Sequence, residues 1–260
     1  MIGFEHKPGL VAYLTCGDPD LATTRKVALA AIDSGAEVIE LGVPFSDPVA
    51  DGPVIQRASE RALQSGVSLR QVIEVGVELR KLRPKAGLII FSYLNPVLRL
   101  GIESFAQQLA AAGIDGALMT DLPVEEAGEY VELMRAHELA TVFLVAPTST
   151  DARLKTIVEL SRGFVYAVSR TGITGEQQQL AADAAQIVVR IRRFSSLPVA
   201  VGFGISTAEQ FQTVGSFADA AVIGSAIVSL VEKHGRDAAE PVANFIRGLR
   251  VEKSVAQAER

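Results

Sequence analysis

Short runs of apolar, mostly β-branched residues alternate along this chain with longer stretches in which apolar side chains recur every three or four positions. Eight such runs stand out: LVAYLT (10–15), EVIELG (37–42), GLIIFSY (87–93), GALMT (116–120), ATVFLVA (140–146), FVYAVS (164–169), VAVGFG (199–204) and AAVIGS (220–225). Helical spacing follows each run, at 20–34, 53–82 in two pieces broken near Gly66, 102–112, 124–138, 150–161, 181–194, 207–215 and 225–233, with a last helix near 239–255. Strands and helices in strict alternation predict βα units around a parallel sheet. No linker, low-complexity tract or shift of composition interrupts the series. The pattern therefore predicts an α/β protein made of a single domain spanning residues 1–260. Eight βα units in a chain of this length are the arithmetic of a (β/α)8 TIM barrel; an open doubly wound sheet is the alternative.

Both architectures place ligands beyond the carboxyl ends of the strands, which directs attention to the stretch IELGVPFSDPVADGPVIQ, residues 39–56. Glu40 lies near the end of the second strand and Asp51 in the stiff Pro- and Gly-rich loop after it. A glutamate in an apolar strand is often paired with an arginine or lysine and purely structural. Glu40 has no cation within its own strand, and burial at the rim of a barrel raises a carboxyl pKa toward that of a working acid or base. Asp47 and Asp51 each have the plainer role of a turn or helix-capping residue to set against a catalytic one.

Composition removes several classes of function. The net charge is −5 and the basic residues are scattered, so there is no stripe for nucleic acid or an anionic membrane. The single cysteine, Cys16, excludes an internal disulfide, and there is no signal-peptide pattern or long apolar span, so the expected location is the cytoplasm. His6, His137 and His234 fall away from strand ends, and no nucleophile elbow, Walker loop or metal-ligand spacing occurs. No metal is expected. Proton transfer is left to carboxyl groups or tyrosine.

Glycines at the ends of the last strands suggest a second function. VGFGIS (201–206) and IGSAIV (223–228) each place glycine at a strand end before a helix, where backbone N–H groups and the helix dipole can hold a phosphate. SRTGITG (169–175), after the sixth strand, has the composition of a closing loop. Each motif alone also fits a tight βα turn; three in succession favour a phosphorylated small molecule.

The long second-strand stretch closely resembles the signature of the tryptophan synthase α subunit. AYLTCGDPD (12–20), TDLPVEE (120–126), YAVSRTGITG (166–175), VGFGIS and IGSAIV match that family in order and spacing. The resemblance implies a TIM barrel that cleaves indole-3-glycerol phosphate by retro-aldol chemistry into indole and glyceraldehyde 3-phosphate. It implies no cofactor in this chain, and a partner β subunit carrying pyridoxal phosphate in an α2β2 complex. Carried over by motif, Glu40 is the acid/base, Asp51 stabilises the indolenine cation, and Tyr166 contacts the glutamate. Tyr93 and Phe203 pack on the indole, and Thr174 sits in the closing loop near Asp51. Gly175, Gly204, Gly224 and Ser225 hold the phosphate, while Pro44, Asp47, Asn95 and Pro96 face the β subunit. A stand-alone indole-3-glycerol phosphate lyase and a weakly catalytic module that mainly activates a β subunit are the other functions such a sequence allows. A different phosphate-binding barrel, such as a phosphoribosylanthranilate isomerase, would lack the second-strand signature. Two departures stand out. Thr171 and Ile173 replace the usual serine and valine, and only eight residues precede Gly9, where the family usually has a longer helix covering the floor of the barrel. Apolar surface on that floor must then be exposed or covered by another segment.

Overall fold

The computed structural model describes residues 2–168, 177–202 and 204–250. Its strands are β1 (Gly9–Thr15), β2 (Val38–Gly42), β3 (Gly87–Ser92), β4 (Gly116–Met119), β5 (Ala140–Val142), β6 (Leu144–Val145), β7 (Val165–Val168), β8 (Val199–Gly202) and β9 (Ala220–Ile223). Neighbouring strands pair parallel in the order β5-β4-β3-β2-β1-β9-β8-β7-β6. The two ends of that order, β5 and β6, are halves of one run interrupted only at Phe143, so a single stretch of chain pairs with β4 on one side and with β7 on the other. The ring closes through it, giving the expected eight-staved barrel. The fifth run was expected as one continuous strand; it breaks because it changes pairing partner midway, and the Phe143 carbonyl accepts from the Tyr166 N–H at the changeover.

Helices cover the outside: α1 (Leu21–Asp33), α2 (Pro53–Gln64), α3 (Leu69–Leu82), α4 (Leu94–Leu100), α5 (Ile102–Ala112), α6 (Gly128–Ala136), α7 (Asp151–Leu160), α8 (Gln177–Ile191), α9 (Ala208–Gly215), α10 (Ser225–His234) and α11 (Ala239–Arg250). Their starts are written locally. The Asp20 carboxylate accepts from the Thr23 N–H to cap α1, Pro53 opens α2 behind Gly52, and Thr207 forms a reciprocal capping box with Gln210 on α9. Three segments differ from expectation. The 124–138 helix is a 3₁₀ turn at Val124–Glu126 followed by α6, with Ala127 capping both. The Asn95-Pro96 corner is the first turn of α4, a place where proline's missing N–H costs nothing. Helix α8 runs Gln177–Ile191 rather than 181–194.

Side-chain parity along the strands builds two cores. Leu10, Ala12, Leu14, Ile39, Leu41, Leu88, Ile90, Val165 and Ala167 face the helices in one continuous cluster. Val11, Val38, Ile89, Leu118, Val142, Phe164, Ala200 and Val222 fill the barrel itself. At the amino ends of the strands Ile2 and Phe4 join that inner cluster, and the Phe4 and Phe164 rings meet edge to face at 6.0 Å. These N-terminal residues supply the floor cover that the sequence calls for, and Gly9 makes room for it, since a Cβ there would lie 2.4 Å from the Phe4 ring.

Candidate active site

Parity carries the inner face upward to the mouth. Two positions beyond Val11, Val38 and Phe164 come Tyr13, Glu40 and Tyr166, so all three point into the barrel above its apolar filling. Tyr13 pairs in register with Glu40, and Glu40 with Ile89. Space for the two phenols comes from glycine: a Cβ at Gly42 would lie 2.4 Å from the Tyr13 hydroxyl, and one at Gly202 would lie 2.7 Å from that of Tyr166. The Tyr13 ring is fixed edge to face against Phe91, centroids 5.0 Å apart.

Glu40 is 0% exposed, and among the described residues neither of its oxygens has a hydrogen-bond partner. An unpaired buried carboxylate is expensive, so the proton stays on: burial pushes its pKa up to about 8. At neutral pH the group is a carboxylic acid aimed at the lumen.

Asp51 is built differently. The loop folds back on itself through Val49 N–H to the Asp47 carbonyl and Asp51 N–H to the Pro48 carbonyl, and Gln56 of α2 donates to the Asp51 carbonyl at 2.9 Å. Its carboxylate accepts from the Tyr93 hydroxyl at 2.9 Å, while the same hydroxyl accepts from the Ala50 N–H at 3.0 Å. Burial raises the Asp51 pKa, and the Tyr93 bond opposes that rise. Tyr93 thus turns its hydroxyl to the Asp51 loop and stacks its ring on Phe45, centroids 4.8 Å apart. Tyr93, expected to pack on the indole, also holds Asp51 through its hydroxyl. Burial first, and then the negative charges of Asp51 and Glu40, hold the Tyr13 and Tyr166 phenols well above the usual range, so both carboxyl groups share one site with both tyrosines.

The remaining candidates fall into three groups. Gly204, at φ +80°, needs its lack of a side chain for backbone conformation, and Gly224 caps α10, whose first residue is the exposed Ser225. Gly204 and Gly224 lie just past the carboxyl ends of β8 and β9. Thr174, Gly175 and Phe203 lie outside the described residues. Of the residues expected to face a partner, Asp47 and Asn95 are exposed, Pro96 is half-buried and Pro44 is buried within this chain, so Pro44 shapes the loop from beneath. Among the described residues no group of three or more His, Cys, Asp or Glu is placed to hold a metal, and no helix is long and apolar enough to cross a membrane. Sequence reasoning missed Tyr13 and Phe91. Tyr13 was available from strand parity, two positions beyond Val11 and level with Glu40.

A (β/α)8 barrel whose mouth combines a neutral glutamic acid, a tethered aspartate and two tyrosines defines an enzyme of the class that moves protons with carboxyl groups. Comparison with known proteins narrows the class. The family model for the tryptophan synthase alpha chain matches residues 3–257. The alpha chain of Solibacter usitatus is 50% identical over 248 residues, covering 95% of this chain and 92% of that one. That of Laribacter hongkongensis is 46% identical over 244 residues, covering 94% and 92%. In structure, a chain of the tryptophan synthase complex from Pyrococcus furiosus superposes with a TM-score of 0.85 at 38% identity, covering 94% of this chain and 98% of that one. The chain belongs to the tryptophan synthase alpha chain family.

Proposed function

We propose that the mouth of this barrel performs the cleavage of indole-3-glycerol phosphate to indole and glyceraldehyde 3-phosphate with Glu40 as proton carrier and Asp51 as cation stabiliser. Family membership makes the chain a carbon–carbon lyase of tryptophan biosynthesis. The protonated Glu40 gives its proton to indole C3, which leaves the ring as an indolenine cation. Asp51 accepts a hydrogen bond from the ring N–H and offsets that charge. The carboxylate left on Glu40 then takes the proton of the glycerol hydroxyl next to the ring. The C–C bond breaks, its electron pair restores the indole, the hydroxyl carbon becomes the aldehyde, and Glu40 ends protonated as it began. The single observation that carries this assignment is the buried Glu40 carboxyl, without a hydrogen-bond partner among the described residues and with its pKa raised by burial to about 8.

Tyr166 lines the Glu40 side of the site and Tyr93 positions Asp51. Gly204, Gly224 and Ser225, with Gly175, hold the phosphate through backbone N–H groups and the α10 dipole. Thr174 closes over Asp51, and Phe203 packs on the indole. The exposed Asp47, Asn95 and half-buried Pro96 meet a β subunit that carries pyridoxal phosphate, in an α2β2 assembly; support comes from the likeness to a chain of the Pyrococcus furiosus tryptophan synthase complex. The whole chain acts as one barrel domain, and its place is the cytoplasm. The test is release of both products from indole-3-glycerol phosphate by the purified chain, with and without a tryptophan synthase β subunit. Slow release that rises strongly with β is the expected result. Fast release indifferent to β would identify a stand-alone lyase, and no release under either condition would overturn the catalytic assignment.

A further inference from the structure

The loop after β1, helix α2 and helix α10 are joined beside the mouth by a chain of charged groups that takes no part in the chemistry above. Arg61 of α2 grips Asp18 with a two-pronged fork, Nε donating to Oδ1 at 2.8 Å and Nη2 to Oδ2 at 2.7 Å. Its Nη1 donates to Glu232 of α10 at 2.9 Å, and Arg57 of α2 donates to both oxygens of the same glutamate at 2.8 and 2.9 Å. The Asp18 side chain is 3% exposed, so its carboxylate relies on the fork, and forked Arg–carboxylate pairs are the geometrically strict ones.

The elements so joined are the ones that carry the site. Helix α2 begins at Pro53, with only Gly52 between it and Asp51; β1 carries Tyr13; α10 begins at Ser225. On its inner side α2 packs Val54, Ile55 and Ala58 against Tyr13, Phe91 and Val228 of α10, contacts that are apolar and carry no directional bond. Arg61 lies about 12 Å along the helix from Pro53 at about 1.5 Å per residue. A helix is stiff over that length, so a fixed point at Arg61 sets the height of its first turn and of the loop leading into it.

We infer that Arg61 is a positioning residue: by clamping α2 to Asp18 and to Glu232 it holds Asp51 within reach of Tyr93 and of the bound ring, without touching substrate. The inference rests on the assignment of Asp51 made above. Lysine in its place keeps the charge and loses the fork.

The experiment compares kcat and KM for indole-3-glycerol phosphate, with β subunit present, in the parent and in Arg61→Lys. Arg83→Lys serves as a control for the loss of a fork alone, because Arg83 makes the same two bonds, both 2.6 Å, with the exposed Asp33 at the far end of α3. Arg61→Lys is expected to lower kcat about tenfold to a hundredfold, the scale of a small misplacement of a catalytic group, with little change in KM. Arg83→Lys is expected to leave both constants unchanged. In an Asp51→Asn background, Arg61→Lys should cost nothing further, because the group it positions is already disabled. If Arg61→Lys does not fold, Glu232→Gln removes one arm of the clamp and should lower kcat in the same sense by less. A folded Arg61→Lys with parental kcat, or a loss fully additive with Asp51→Asn, overturns the inference while leaving the active site intact. A parent that releases no indole overturns instead the assignment on which it rests.

Discussion

Glu37, immediately before β2, and Glu40, within it, stand three residues apart, one at the floor of the barrel and one inside its mouth, and their surroundings are opposite. Glu37 accepts from the Glu5 N–H, lies 3.2 Å from His6 Nδ1 and accepts from Arg250 at 3.4 Å. Glu40 has no hydrogen-bond partner among the described residues. At the floor, polar groups tie the N-terminal residues and α11 to the barrel, and Arg80 likewise bonds the Gly113, Pro84 and Ala86 carbonyls and the Asp115 carboxylate. The floor carboxylate is satisfied and structural; the mouth carboxyl has no partner among the described residues, which is the environment that the proposed proton carrier requires.

The largest expected effect comes from Glu40→Gln, which keeps shape and removes the proton. Steady-state assay of indole release should show turnover lost by at least about 10²–10⁴-fold, the contribution of a general acid–base group. The same variant should be more stable than the parent at high pH. A folded-state pKa raised from 4.5 to about 8 means that the native state holds a proton the unfolded chain releases, so parental stability falls as pH rises across that interval. Urea unfolding at several pH values should show the two proteins diverging between those limits, by up to about 5 kcal/mol at about 1.36 kcal/mol per unit. Next is Asp51→Asn, expected to lower kcat by about 10²–10³-fold while substrate binding persists, measured by a kcat and KM split. Smaller again is Tyr93→Phe. Losing a hydrogen bond to a charged group, about 1.5–3 kcal/mol, should reduce kcat/KM roughly tenfold or somewhat more and move the acidic limb of the pH profile upward, because that bond holds the Asp51 pKa down. Smallest for catalysis is Phe4→Ala at the floor: stability should fall by about 2 kcal/mol through lost packing on Phe164, and kcat/KM should not change.

Most of the architecture was legible because its cause is local. Near-continuous apolar strands, capping residues and glycine stops set the eight units and their order without reference to distant contacts. Glu40 and Asp51 were legible too, as carboxyl groups placed where a barrel opens. What escaped depends on partners far along the chain. The break at Phe143 arises because one run pairs with different neighbours on its two sides, which no window of sequence contains. The bond from Tyr93 to Asp51 spans 42 residues, so the tyrosine's hold on that loop could not be read beside its expected contact with the indole. The Asp18–Arg61–Glu232 chain links positions 43 and 171 residues apart, and each member alone reads as an ordinary surface charge. Pro44 was taken for surface because it sits in a loop, whereas its strand neighbours draw it into the core.

The contrast between the two glutamates is tested most directly by measuring kcat/KM for indole release from indole-3-glycerol phosphate, in the presence of β subunit, for Glu40→Gln and Glu37→Gln side by side. The expected result is background activity for Glu40→Gln, in a protein that folds at least as well as the parent, and parental activity for a less stable Glu37→Gln. A Glu40→Gln variant that keeps activity within about tenfold of the parent, far less than a general acid–base group contributes, would contradict the account.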